Sequence, residues 1–268
     1  MNNHFVTQYG PWGVITGATS GIGAALADQV AEKGVNLFLV SRSEQSLQKK
    51  ADELQQAYGV EVKIIPADLT IAEDCEKIIT ATSDSDIGLF IPCAGVETHG
   101  TAIELDLKHE LDMIQINVAS VFRLGHHFSN VLAKRNKGGI MFVSSLYGLM
   151  PAPYFANYGG TKAYVTNLGL AMHWEMKKHG VDVMVLAPGP TDTPMIDSVA
   201  NDYDLSKVPL SVISPEAVAK EALEGLGCKA LVVPSKKNKI MFFMTKHFSS
   251  VLGAVKFGGK MMEKAMKK

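Results

Sequence analysis

The chain has 268 residues, 47% of them hydrophobic and 20% charged, a balance that excludes a disordered chain and suits one or two folded domains. With 26 basic against 27 acidic side chains the formal net charge is −1, which argues against a nucleic-acid binder held by an overall basic surface. Three cysteines, Cys75, Cys93 and Cys228, cannot pair completely, and their spacing fits neither a disulfide framework nor a zinc site, so a reducing, cytoplasmic setting is expected.

Residues 1–9 are polar and lack the basic start and apolar core of an export signal. Gly13-Val14-Ile15-Thr16 reads as a short buried strand, followed by a glycine-rich turn and a helix near 22–33. A second apolar run covers 36–40, helical spacing covers 47–58, and a third strand-like run covers 60–66. Further runs at 87–91, 139–144 and 181–187 alternate with helix-length segments at 72–83, 106–134 and 160–178. Continuous apolar runs between helices fit strands buried on both faces of a parallel sheet, so the fold class is α/β, a doubly wound sheet with helices on both faces. No run reaches about 18 uninterrupted apolar residues, so no spanning helix is expected.

Charge divides the chain into a domain over 1–235 and a tail over 236–268. The tail holds nine lysines against Glu263, which leaves 17 basic and 26 acidic residues in the body. At about 100° per residue, Met244, Phe248, Val251, Leu252, Val255, Met262 and Met266 fall in one stripe. Lys246, Lys256, Lys260, Lys264 and Lys267 fall opposite. Gly253, Gly258 and Gly259 weaken the helix, so two shorter helices are also compatible. Such a segment can dock on its own domain, cover a substrate mouth, pack in a dimer, or lie peripherally on an anionic membrane surface.

Thr16-Gly17-Ala18-Thr19-Ser20-Gly21-Ile22-Gly23 directly follows the first strand and opens a helix. A dinucleotide pyrophosphate needs close backbone approach, which a Cβ blocks, and the positive end of a helix dipole. Downstream, Tyr158 and Lys162 stand four apart, on one face of a helix. An ammonium beside a phenol favours the phenolate, which makes a usable acid for ketone reduction or base for alcohol oxidation. Tyr203 and Lys207 repeat the spacing, but only Tyr158 has a serine, Ser145, thirteen residues before it at a strand end. Tyr203 and Lys207 are therefore read as surface residues.

The Thr-Gly-x-x-x-Gly-x-Gly turn with Tyr-x-x-x-Lys resembles the short-chain dehydrogenase/reductase family over residues 12–235, with a Rossmann-type fold. The resemblance implies a catalytic set of Asn117, Ser145, Tyr158 and Lys162. Ser145 would hold the substrate oxygen, and Asn117 would shape its helix and support proton resupply. It also implies cofactor contacts from Gly17, Thr19, Ser20, Gly21, Ile22 and Gly23, then Asp68 and Leu69 at the adenine. Cys93, Ala94 and Gly95 occupy the place of the family's Asn-Ala-Gly, and the cysteine departs from it. Pro188, Gly189, Thr191 and Thr193 would lie along the nicotinamide. Tyr9 to Trp12 and Ser214 to Ala219 look like the hydroxysteroid and very-long-chain 3-ketoacyl reductase branch.

Residues 41–43 carry no acid to bind both ribose hydroxyls of NAD(H). Next to Ser41, Arg42 offers a planar charged fork for a 2′-phosphate, so NADP(H) is favoured. Met150, Tyr154, Phe155, Met195 and Ile196 would wall an apolar pocket, which suits a lipophilic ketone or secondary alcohol. Residues 192–214 are expected as a lid. The expected function is an NADPH-dependent reductase, or reversible dehydrogenase, of such a substrate; the alternative is an NADPH-binding sensor or scaffold without turnover. No metal is expected at His126-His127, since helix neighbours point about 100° apart. The family suggests a homodimer through 106–134 and 160–178.

Overall fold

The computed structural model describes residues 4–267. Lys268, the end of the expected tail, lies outside them, as do residues 1–3. The helices are α1 (His4–Tyr9), α2 (Gly21–Glu32), α3 (Glu44–Tyr58), α4 (Ala72–Thr82), α5 (Leu107–Ile114), α6 (Val121–Arg135), α7 (Ala156–Met176), α8 (Pro194–Asp202), α9 (Pro215–Gly225), α10 (Lys236–Phe248) and α11 (Val251–Ala265). The strands are β1 (Trp12–Thr16), β2 (Asn36–Ser41), β3 (Val62–Pro66), β4 (Ile87–Pro92), β5 (Gly138–Val143), β6 (Val181–Leu186) and β7 (Leu231–Val232).

All seven strands pair in parallel in the order β3-β2-β1-β4-β5-β6-β7. The order reverses between β1 and β4, so the crevice at their carboxyl ends is the ligand position that the topology dictates. The apolar runs are explained by double-sided burial. Ile15, Leu37, Leu39, Leu89, Ile91 and Met141 face one layer of helices. Their neighbours Val14, Phe38, Val40, Phe90, Ile140 and Phe142 face the other. A strand buried on both faces shows no polar alternation, which is why these segments read as unbroken apolar runs.

Three expectations change. Residues 4–9, polar in sequence, form α1, and Tyr9 donates from its hydroxyl to Asp182 at 2.8 Å. The helix expected over 106–134 is interrupted by a π-helical segment, Gln115–Ser120, between α5 and α6. The tail forms two helices, with the break at Ser249-Ser250 and not at its glycines. Ser250 caps α11, accepting from the Gly253 amide at 3.1 Å. The break separates Met244 and Phe248 from the rest of the expected stripe; within α11, Val251 and Met262 share a face, but only the end of the helix packs on the domain, so Met262 is buried whereas Val251 and Leu252 are exposed.

Candidate active site

The turn after β1 is built for close approach. Gly17 has φ +68°, and a Cβ there would meet the Ala94 backbone at 2.8 Å. A Cβ on Gly23 would meet the Gly17 carbonyl oxygen at 2.1 Å, so α2 can pack on this turn only through glycine. Gly17, Ser20, Gly21, Ile22 and Gly23 line one end of a cavity of about 530 Å³. Arg42, Cys93, Ala94, Gly95, Pro188, Gly189, Thr191 and Thr193 line it too. Thr19 lies behind this surface, its hydroxyl 3.0 Å from that of Ser41, joining the turn to the end of β2. Asp68 takes the amide and hydroxyl of Thr70, which lowers its pKa, while Leu69 is buried in the core. This glycine-lined cradle at a helix N-terminus fits the pyrophosphate of a dinucleotide.

Ser145, Tyr158 and Lys162 meet at the other end of the same cavity. Ser145 follows β5 in extended backbone, and its hydroxyl accepts from the Tyr147 amide at 3.2 Å. The neighbouring Ser144 donates to the Lys162 carbonyl at 2.8 Å and touches Thr166 at 2.7 Å, which fixes α7 against the strand end. Lys162 reaches back under the sheet, its Nζ 3.1 Å from the Val143 carbonyl and 5.8 Å from the Tyr158 ring centre. Asn117 sits in the π-segment, where an extra residue per turn redirects a side chain. Its amide nitrogen donates to the Val96 carbonyl at 2.8 Å and to Thr161 at 3.1 Å, and its oxygen accepts from the Val96 amide at 3.0 Å. It thereby ties the loop after β4 to α7.

The electrostatics differ from the simple ammonium–phenol picture. Burial pushes the Tyr158 phenol up to about 12; Ser145 opposes the rise and Glu97 adds to it. Burial pushes Lys162 down to about 8, with Cys93 opposing. Low local polarity favours the neutral form of each group. The Cys93 thiol is also held up to about 12 by burial, which makes it a poor nucleophile.

Phe155, Met195 and Ile196 face the cavity. Met150 instead lines a neighbouring apolar cavity of about 80 Å³, roofed by Phe242, Phe257 and Met261 of the tail. Tyr154, expected in the same wall, turns away and donates to Glu263 at 3.2 Å. Tyr203 corrects another expectation: it is buried, 6.2 Å from the Phe155 ring and 5.6 Å from His99, while Lys207 is exposed and pairs with Asp204. The tail is responsible, because Met266 bridges to Tyr203 and Met262 closes the cavity wall.

Two side chains escaped the sequence reading. Asn238, fully buried in α10, donates to the Ser211 carbonyl at 3.1 Å and accepts from its amide at 3.0 Å, so the tail clamps the segment that follows α8. Glu97 lines the cavity two residues beyond Gly95. Neither stands in a periodic pattern or a motif, so no signal in the chain marks them.

Comparison with known proteins agrees with this geometry. The short chain dehydrogenase family matches residues 12–204. The 7beta-hydroxysteroid dehydrogenase of Mediterraneibacter gnavus is 30% identical over 233 residues, covering 87% of this chain and 89% of that one. The human "inactive hydroxysteroid dehydrogenase-like protein 1" is 29% identical over 98% of this chain and 79% of its own length. A short-chain dehydrogenase from Sphingobium yanoikuyae, solved with NADPH, superposes with TM-score 0.80 at 27% identity over 88% of this chain and 92% of that one. The chain belongs to the short-chain dehydrogenase family and resembles its hydroxysteroid branch. It is thereby an NAD(P)-dependent oxidoreductase acting on CH–OH groups.

Proposed function

We propose that the chain reduces a lipophilic ketone, with NADPH as the cofactor and the alcohol oxidation as its reverse. The observation that carries this reading is one cavity joining a glycine cradle with Arg42 at one end to Ser145 and Tyr158 at the other. The cofactor supplies a hydride at the nicotinamide face. Ser145 donates a hydrogen bond to the substrate oxygen as negative charge develops there. Tyr158, held neutral at working pH, delivers the proton to that oxygen. Lys162 would hold the nicotinamide ribose, and Asn117 shapes its helix and would support proton resupply. Pro188, Gly189, Thr191 and Thr193 would border the nicotinamide, while Phe155, Met195 and Ile196 give the cavity apolar walls that exclude water. The test is consumption of NADPH by the full chain with ketones of graded apolarity. Turnover that rises with apolarity supports the reading. NADPH binding without turnover of any ketone would place the chain with its inactive human relative.

Arg42 is exposed at the end of β2, where a 2′-phosphate would meet it. Losing a charge-assisted contact costs about 1.5–3 kcal/mol. Arg42→Ala is therefore expected to weaken NADPH binding about 10- to 100-fold and leave NADH within about threefold by fluorescence titration. Equal losses for both cofactors would remove the NADP(H) preference.

Phe122 of α6 and Trp174 of α7 are 47% and 79% exposed, which supports a homodimer across these helices. Trp174→Glu is expected to yield a monomer by light scattering where the unaltered chain is a dimer.

No helix among the described residues is long and apolar enough to cross a membrane. On α10 and α11, however, Phe243, Phe248, Val251, Leu252 and Phe257 are exposed beside exposed Lys236, Lys237, Lys256, Lys260 and Lys264. An isologous dimer through this face would set like charges together, whereas an anionic lipid surface complements them. Peripheral docking there predicts that the full chain floats with phosphatidylserine vesicles and not with neutral ones. Phe248→Glu combined with Leu252→Glu is expected to abolish flotation.

A further inference from the structure

Glu97 is the one carboxylate lining the cavity among the described residues. Its side chain is only 6% accessible, and burial raises its pKa. A carboxylate in apolar walls is costly unless something hydrogen-bonds it. Among the described residues its one side-chain partner is His99, whose Nδ1 lies 3.2 and 3.4 Å from its two oxygens. A carboxylate offers about four acceptor positions, so one donor shared between both oxygens leaves most of that capacity open.

Glu97 is also held firmly from behind. His99 Nε2 lies 2.8 Å from Asp202 at the end of α8, and the His99 ring packs 5.8 Å from Phe155 and 5.6 Å from Tyr203. The imidazole thus braces Glu97 between the loop after β4 and the helix that covers the cavity. Tyr158 and Tyr147 line the same cavity, and the charge of Glu97 adds to the rise that burial causes in their pKa values. The reduction described above assigns no step to this carboxylate.

We infer that Glu97 is a specificity residue that accepts a hydrogen bond from a hydroxyl on the substrate, so that the preferred substrate is a hydroxylated lipophilic ketone. This rests on reading the cavity as the substrate site. The chemistry follows from unequal costs. A ketone without the hydroxyl leaves a desolvated carboxylate facing hydrocarbon, and a site built to bond a substrate hydroxyl rejects the analogue that lacks it. An acidic group brought to the same pole would be repelled.

The experiment compares monohydroxylated steroid ketones with the parent ketone that lacks the hydroxyl, using the full chain and NADPH. For the unaltered protein kcat/KM is expected to be at least about 10-fold higher for one hydroxyl position than for the parent, mainly through KM. Glu97→Leu should erase that ratio, chiefly by lowering KM for the parent ketone once no carboxylate faces it. Glu97→Gln, which keeps an acceptor oxygen and the His99 contact, should retain part of it. A ratio unchanged in Glu97→Leu, or an equal loss for both ketones in both variants, overturns the inference and makes Glu97 a structural brace only. Equal turnover of every ketone by the unaltered protein overturns it and leaves the reductase reading standing. Turnover of none removes both.

Discussion

A Tyr158→Phe variant loses about 10²- to 10⁴-fold in kcat for ketone reduction, with NADPH affinity within about threefold of the unaltered chain. The hydroxyl is the only part removed. The ring keeps its place 6.4 Å from Tyr147, and the cofactor cradle is formed by other residues. A loss confined to kcat therefore reports a proton that no longer arrives, not a pocket that has collapsed. Because the phenol is pushed up to about 12, it stays protonated and competent as an acid throughout pH 6–9. The reverse reaction needs the phenolate, so alcohol oxidation should go on rising with pH across that range. Stopped-flow single turnovers with the cofactor prebound would separate this from product release. Retention of more than about a tenth of the rate in Tyr158→Phe would remove the phenol from the mechanism.

The legible part of this molecule is its sheet and the end of its sheet. The strands announce themselves because both faces are buried, and Gly17 to Gly23 are readable because only a Cβ-free backbone fits where they pack. Ser145, Tyr158 and Lys162 could be placed because a strand end and a helix face turn fixed spacings into proximity. What escaped depends on packing between distant segments. Tyr203 is buried in a cluster with Phe155, Met262 and Ala265, the last two about sixty residues further along, and nothing near Tyr203 in the chain foretells it. Asn238 stands among lysines and reads as surface, yet it is fully buried against Ser211. Asn117 was found by its motif, but the π-segment that turns it was not, since one extra residue in a turn leaves no compositional trace. The tail failed for a different reason. Its apolar period continues through Ser249 and Ser250, where the helix stops, and within α11 a shared face does not bring shared burial: Val251 is exposed and Met262 buried, because packing on the domain is confined to the end of the helix.

Lys162→Met separates the two accounts that a buried lysine permits, and its effects run in opposite directions. Activity is expected to fall by at least about 100-fold in kcat/KM, because on the proposed mechanism the nicotinamide ribose would lose its ammonium partner. Stability of the cofactor-free protein rises. Lys162 titrates near 8 in the folded chain against an ordinary 10.5. Below pH 8 the ammonium is charged in both states, and the folded state bears the full cost of burying it. Between pH 8 and 10.5 the folded state has lost its proton and the unfolded state has not. The unfolded state then binds more protons, so stability increases with pH through this window. Above it the cost is gone. A shift of this size corresponds to about 3 kcal/mol, and the lost hydrogen bond to Val143 offsets about 1 kcal/mol of it. The Lys162→Met substitution should therefore raise Tm by a few degrees at pH 7, with the gain shrinking as pH approaches 10. Calorimetry across that range decides the matter. A Tm that falls at pH 7, or a difference that ignores pH, would mean that Lys162 is a net structural support. The expected pattern instead makes it a group kept at a cost to folding because the site needs its charge.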